Sequence, residues 1–338
     1  MKDLIPILSN IAPIAIVILL ATMIIRAKQT PLWSEAYRRL GKNPLAITGI
    51  SILLIYGSIA FLDSISWQDN SKTDSKSILD RICSGVKVER TYSAPMANMT
   101  TGEPITHSLL SKHILGTDGT GKDVLVQTMK GARTAIIIGC FTTILATPLA
   151  LLFGMSAGYF GKRVDDAVQY TYTVMASIPD ILLLITLLLV MGRGLDKLCY
   201  ALGVTAWIGL CRLTRGETLK HRDREYVRAA KALGASPARI LIRHILPNLL
   251  PVVIISITLS LSGIVLSETI LTYLGFGVGQ DVGSWGSMID QARLELAREP
   301  IILWNLAAAS TALFLLVLAF NLLGDALRDA LDPRLRSS

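Results

Sequence analysis

Hydrophobic runs long enough to cross a lipid bilayer recur along this chain, and no other feature constrains its fold as tightly. A helix needs about 20 mostly apolar residues to traverse the hydrocarbon core, and roughly seven segments qualify: 5 to 25, 44 to 62, 134 to 159, 169 to 191, 195 to 212, 246 to 271 and 301 to 323. Pro179 and Asp180 interrupt the fourth, and Asp196 and Lys197 open the fifth. Hydrophobic residues make up 51% of the chain and charged ones 17%, a pairing that a soluble domain of this size rarely shows. The expected fold class is therefore all-α and integral to the membrane, a polytopic helical bundle.

Lys and Arg in the connecting segments set the orientation. Placing 26–43, 160–168, 213–245 and 324–338 inside gathers most of them, from Arg26 and Lys28 through Arg215, Lys220 and Arg243 to Arg328, Arg334 and Arg336. The short loops left outside hold only Lys2, Arg193, Lys197, Arg293 and Arg298. Segment 63–133 carries balanced charge, and long loops translocate largely regardless of charge, so it belongs outside. The net charge of +8 then reads as a cytoplasmic bias rather than a nucleic-acid surface. The first apolar run is expected to stay as an anchor with its N-terminus outside: it exceeds a signal-peptide core, and Arg26 and Lys28 follow it rather than precede it. The resulting organisation is an extra N-terminal span with a linker (1–43), a first core span (44–62), an external loop (63–133), a core of spans (134–323) containing the cytoplasmic loop 213–245, and a cytoplasmic tail (324–338).

Within that cytoplasmic loop, Tyr226, Ala229, Ala230 and Leu233 recur at helical spacing, and Gly234 is placed to end the helix as a C-cap. Ser236 followed by Pro237 reads as an N-cap with proline at the first helical position, so a second helix restarts at once and runs into the next span. Small side chains at Ala229 and Ala230 would let another protein approach the backbone closely. On spacing alone, a docking element and an ordinary basic loop remain equal alternatives.

Before the third span, Gly116, Gly121 and Lys122 satisfy most of a phosphate-loop pattern, but Asp123 stands where a Ser or Thr should ligate magnesium. A carboxylate there repels phosphate, and the loop lies outside, away from ATP. The role expected is structural: the glycines permit a tight turn, and Asp118 or Asp123 caps the entering helix. Cys140, Cys199 and Cys211 fall in spans and Cys83 alone lies outside, so no disulfide between external cysteines is available. No metal-ligand spacing and no hydrolytic constellation are present.

Four ordered motifs carry a resemblance to a known family. Ala229, Ala230, Gly234, Leu246 and Pro247 resemble the coupling-loop signature of ABC importer permeases, with Arg228 where the signature has Glu and His244 where it has Ile. Leu115-Gly116-Thr117-Asp118 with Gly121-Lys122-Asp123, then Gly131-Ala132-Arg133, is similar to the sequence that opens the core of peptide and nickel transporter permeases. Tyr273 to Val278 with Ser284 to Met288, and Asn321 to Arg334, resemble that family's last external loop and C-terminal tail. The resemblance covers 30–62 and 110–338, and points to the inner-membrane permease of binding-protein-dependent peptide importers, the second of two paired permease subunits. It implies a type I ABC importer permease with six core spans, against which the leading helix is a departure. It implies no catalysis and no cofactor bound by this chain, ATP and magnesium being used by partner ATPases. The implied partners are a homologous permease, two cytoplasmic ABC ATPases and an external solute-binding protein, in a bacterial inner membrane. The implied coupling residues are Glu225, Tyr226, Arg228, Ala229, Ala230, Leu233, Gly234, Arg239, Leu246 and Pro247. Gly116, Thr117, Asp118, Gly121 and Asp123 form the external motif.

Polar residues inside spans are costly and by default functional. Glu268, close to Ser260, Ser262 and Ser267, is a candidate for the translocation path together with Ser267. A carboxylate bonded to a neighbouring helix or a partner subunit is an equal reading. Asp180 after Pro179 reads as part of a kink. The competing functional class is a stand-alone secondary transporter or channel, against which no inverted repeat is evident; a transport-free scaffold is disfavoured by the polar residues within spans. The cargo stays open among dipeptides, oligopeptides, glutathione and nickel chelates, which the family carries. The loop 63–107 fits either a partner contact or a loosely ordered spacer.

Overall fold

Short polar side chains meet the first backbone donors of the long helices, and these caps position the bundle. The computed structural model describes residues 31–68, 75–101, 107–279 and 282–331. After a short helix α1 (Pro31–Leu40), Asn43 Oδ1 accepts from the N–H of Leu45 at 2.9 Å, and Pro44 takes the first position of α2 (Pro44–Ser64). The segment expected to be external, 63–133, holds a three-residue antiparallel ribbon, β1 (Ser66–Gln68) with β2 (Ser75–Ser77), and a short α3 (Ile78–Ile82). Asp123 Oδ1 accepts from Val126 N at 2.9 Å and opens α4 (Val124–Phe160), which ends at Gly161 with φ +64°. Thirty-seven residues reach about 55 Å. That exceeds a hydrocarbon core of about 30 Å, so part of α4 lies beyond the core; the helix begins ten residues before the predicted span (134 against Val124).

The predicted fourth and fifth spans are built differently from the expectation. Residues 169–191 fall on α5 (Lys162–Ala176) and α6 (Asp180–Met191), bent by 85° at a break containing Pro179. The 12 residues of α6 reach about 18 Å and cannot cross alone. Residues 195–212 are divided between α7 (Leu195–Thr205) and α8 (Trp207–Arg222). Arg212 and Arg215 lie in α8, so neither piece is both long and apolar enough to span. The chain continues through α9 (Glu225–Ala232), α10 (Pro237–Ile240), a π turn (Leu241–Ile245), α11 (Leu246–Tyr273), α12 (Trp285–Glu295) and α13 (Trp304–Leu331). Among the described residues four helical segments, α2, α4, α10 through α11, and α13, are long and apolar enough to cross a membrane, or five if α5 and α6 count as one bent span. The expected seven are not reached, and the first, 5 to 25, lies outside the described residues. The fold class, an all-α multi-pass membrane bundle, stands.

Close helix approach holds the lower half together. A Cβ added at Gly154 would lie 2.6 Å from Cys211 O, and one at Gly158 would lie 2.7 Å from Arg215 O. This is the small-xxx-small contact by which membrane helices gain dispersion energy without a hydrophobic driving force. Around it pack Ala146, Ala150, Trp207, Leu210, Cys211, Ile240, Ile245 and Leu249. At the outer end Trp285 lies edge-on to Tyr56, ring centroids 5.7 Å apart, and its Nε1 donates to Thr128 O at 2.9 Å.

Candidate coupling site and external turn

The segment after α8 folds as helix, turn, helix for local reasons. Gly234 adopts φ +79°, Ala235 N donates to Ala230 O at 3.1 Å and Gly234 N to Lys231 O at 3.0 Å; this is the Schellman arrangement that a left-handed glycine permits. Ser236 Oγ then accepts from Arg239 N at 3.4 Å, with Pro237 at the first helical position. Pro247 has no N–H to continue an α ladder, and the preceding turn widens so that Leu246 N bonds Leu241 O. His244 lies in this wider turn, and Asn248 Nδ2 donates to its carbonyl at 2.7 Å.

The two faces of α9 differ sharply. Val227 and Ala230 turn inward onto Ile240, Leu241 and Ile245, whereas Glu225, Tyr226, Arg228, Ala229, Leu233, Gly234, Arg239 and Pro247 are exposed, and Leu246 is half-buried. Leu233 is 88% exposed and Ile242 65%, well beyond what a packed helix pair needs. Ala230 is 8% exposed; the expectation that both alanines face outward is corrected to Ala229 alone, because the 3.6-residue period turns Ala230 and Val227 to the same inner face. Ile242 was not singled out by sequence reasoning, since only the π turn after α10 shows which way it faces.

Basic groups anchor and surround the element. Arg215 Nη2 donates to Asp165 Oδ2 at 2.7 Å, tying α8 to α5, and Arg222 Nη1 donates to Gly158 O at 3.3 Å. Burial, with Arg224 and Lys220, holds His221 below the usual histidine value against the pull of Glu217. The Tyr226 hydroxyl lies 2.8 Å from His221 Nδ1.

In the external turn, Gly116 and Gly121 both adopt φ +77°. Asp118 Oδ1 accepts from Thr120 N at 2.8 Å and Lys122 N at 3.0 Å, and its Oδ2 accepts from Gln127 Nε2 at 2.6 Å. Of the two carboxylates offered as caps, Asp123 caps α4 and Asp118 instead organises the turn. The amides a phosphate would need already face a carboxylate. Thr117, fully buried, donates to Thr91 O at 2.9 Å, and its carbonyl accepts from Trp304 Nε1 at 2.9 Å. Sequence reading missed His113, also fully buried, whose Nδ1 lies 2.8 Å from Asp123 Oδ2 and Nε2 3.2 Å from Glu89 Oε1. The described part of 63–107 is thus folded onto the bundle and is no loose spacer.

Glu268 does not line an open face. It is 1% exposed and accepts from Thr272 Oγ1 at 2.9 Å and Thr269 Oγ1 at 3.2 Å. The helical period sends it inward while Ser260 and Gly263 are exposed and Ser267 half-buried on another face of α11. Asp180 opens α6 at the bend after Pro179, in keeping with the kink reading. Among the described residues no three His, Cys, Asp or Glu side chains could hold a metal.

Residues 150–337 match the model of the family described as binding-protein-dependent transport system inner membrane component. The chain belongs to this family. It is 31% identical to an oligopeptide transport system permease protein of Bacillus subtilis over 92% of this chain and 93% of that one. It is 33% identical to a dipeptide transport system permease protein of the same organism over 89% of this chain and 86% of that one, and 30% identical to a glutathione transport system permease protein of Pectobacterium atrosepticum over 94% and 97%.

Proposed function

We propose that this chain is the permease subunit of a peptide-importing ABC transporter in a bacterial inner membrane. It forms half of the transmembrane path beside a homologous permease, receives cargo from an external solute-binding protein, and is driven by two cytoplasmic ATPases that use ATP and magnesium. The observation that carries this reading is the α9–α10 pair with the π turn that follows it, seated on the bundle core by Val227 and Ala230 and presenting Tyr226, Ala229, Leu233 and Ile242 outward. A helix pair with one buried face and one exposed face that mixes large apolar side chains with charged ones fits a docking surface. ATPase closure would push on this pair, and α8 and α11 would carry the motion as rigid bodies to the outer half, giving alternating access. Relatives named for dipeptides and oligopeptides favour peptide cargo.

The test is copurification and uptake. An ATPase that copurifies with the tagged chain and cross-links to cysteine at Leu233, with uptake of labelled di- or oligopeptides lost on ATP depletion, supports the reading. Uptake by the chain alone, insensitive to ATP, would sink it in favour of a stand-alone transporter.

A further inference from the structure

Glu295 is a buried acidic group that neither the coupling pair nor the external turn uses. It closes α12, is 1% exposed, and sits where α12, α13 and the external segment meet. Its Oε1 accepts from Asn305 Nδ2 at 3.1 Å, and Asn305 is itself 1% exposed. Its Oε2 has no hydrogen-bond partner among the described residues. A carboxylate taken out of water needs a paired cation or a full set of donors; among the described residues Glu295 has the single Asn305 donor and no ion pair. On the external segment, Asp118 carries the same charge, and its oxygens are occupied by Thr120, Lys122 and Gln127. Between α12 and α13, Arg298 places its guanidinium 4.9 Å from the centre of the Tyr92 ring. Burial, and after it Asp118, hold the Glu295 carboxyl above the usual glutamate range, while Asn305 and Arg298 oppose the shift.

We infer that Glu295 is a proton-binding residue that seats the external segment on the outer ends of α12 and α13, so that external acidity tightens this joint and external alkalinity loosens it. The mechanical link is short. Glu295 O accepts from Ile302 N at 3.3 Å, and two residues on, Trp304 Nε1 holds Thr117 O at 2.9 Å, next to Asp118. The direction follows from linkage: an acid whose folded-state value is raised binds its proton more tightly when folded. Its contribution is therefore whole at low pH and is lost as pH rises through the raised value.

The experiment compares the lipid-embedded assembled transporter with its Glu295→Gln form, recording the thermal midpoint across external pH. The neutral amide stands in for the protonated acid. The expected result is coincidence at acid pH and a wild-type midpoint that falls below that of the variant as pH rises. A difference independent of pH, or a variant that loses stability at acid pH, overturns the proposal. Infrared difference spectroscopy supplies a second reading, which decides alone if the amide variant does not assemble. A protonated-carboxyl band that titrates in the wild type and moves in Glu295→Asp supports the inference; a wild type without a titrating band, or a band unmoved by that change, refutes it.

Discussion

Two adjacent alanines separate the docking surface from the packing beneath it, and enlarging each in turn should give opposite phenotypes. Ala230 is 8% exposed and packs among Val227, Ile240, Leu241 and Ile245. Ala230→Leu adds three carbons at a buried position, and overpacking of this kind costs about 1–3 kcal/mol. Ala229, one residue earlier, is exposed; Ala229→Trp touches nothing in this chain, so its effect on stability should stay within roughly 0.5 kcal/mol. In the assembled transporter the same tryptophan would stand between α9 and the ATPase. The assay measures thermal midpoint, ATPase copurification and peptide uptake for both variants. Ala230→Leu is expected to lower the midpoint, and Ala229→Trp to keep the midpoint while losing copurification and uptake. If Ala229→Trp transports normally, or Ala230→Leu is as stable as the wild type yet uncoupled, the assignment of faces on α9 is wrong.

The external turn gives a second contrast. Asp118→Ala removes the acceptor for Thr120 N, Lys122 N and Gln127 Nε2 and should cost about 1–3 kcal/mol in unfolding measurements, since those partly buried donors lose their partner. Lys122→Ala, by comparison, should leave ATP hydrolysis of the assembled complex near the wild-type rate; abolished hydrolysis would revive a phosphate-binding role for this loop. In the lower half, Gly158→Leu would drive a side chain into Arg215 O, which an added Cβ alone would approach to 2.7 Å, so α4 and α8 must separate and membrane-extracted yield should fall sharply; unchanged yield and uptake would refute the close approach. A reporter active only outside, fused at Ser75, should be active and one placed after Lys220 silent, and the reverse pattern would invert the orientation.

Local chemistry made several of these elements legible in the sequence. Apolar length gave the membrane class, Ser236–Pro237 and Gly234 gave the helix–turn–helix, and Asp123 was one of two carboxylates offered as the cap of α4, because caps and turns depend on neighbours within a few residues. What the sequence could not decide was which way a side chain faces once helices pack. Ala229 and Ala230 are chemically identical, yet one meets water and the other Ile240. Glu268 and Ser267 are adjacent on α11, yet only the glutamate is closed in by Thr269 and Thr272. The clasp of His113 on Glu89 joins residues 24 positions apart, and Glu295 meets Asn305 across two helices. Such pairings depend on where α4, α12 and α13 cross, and crossing is set by the summed packing of whole helix faces rather than by any short stretch of chain.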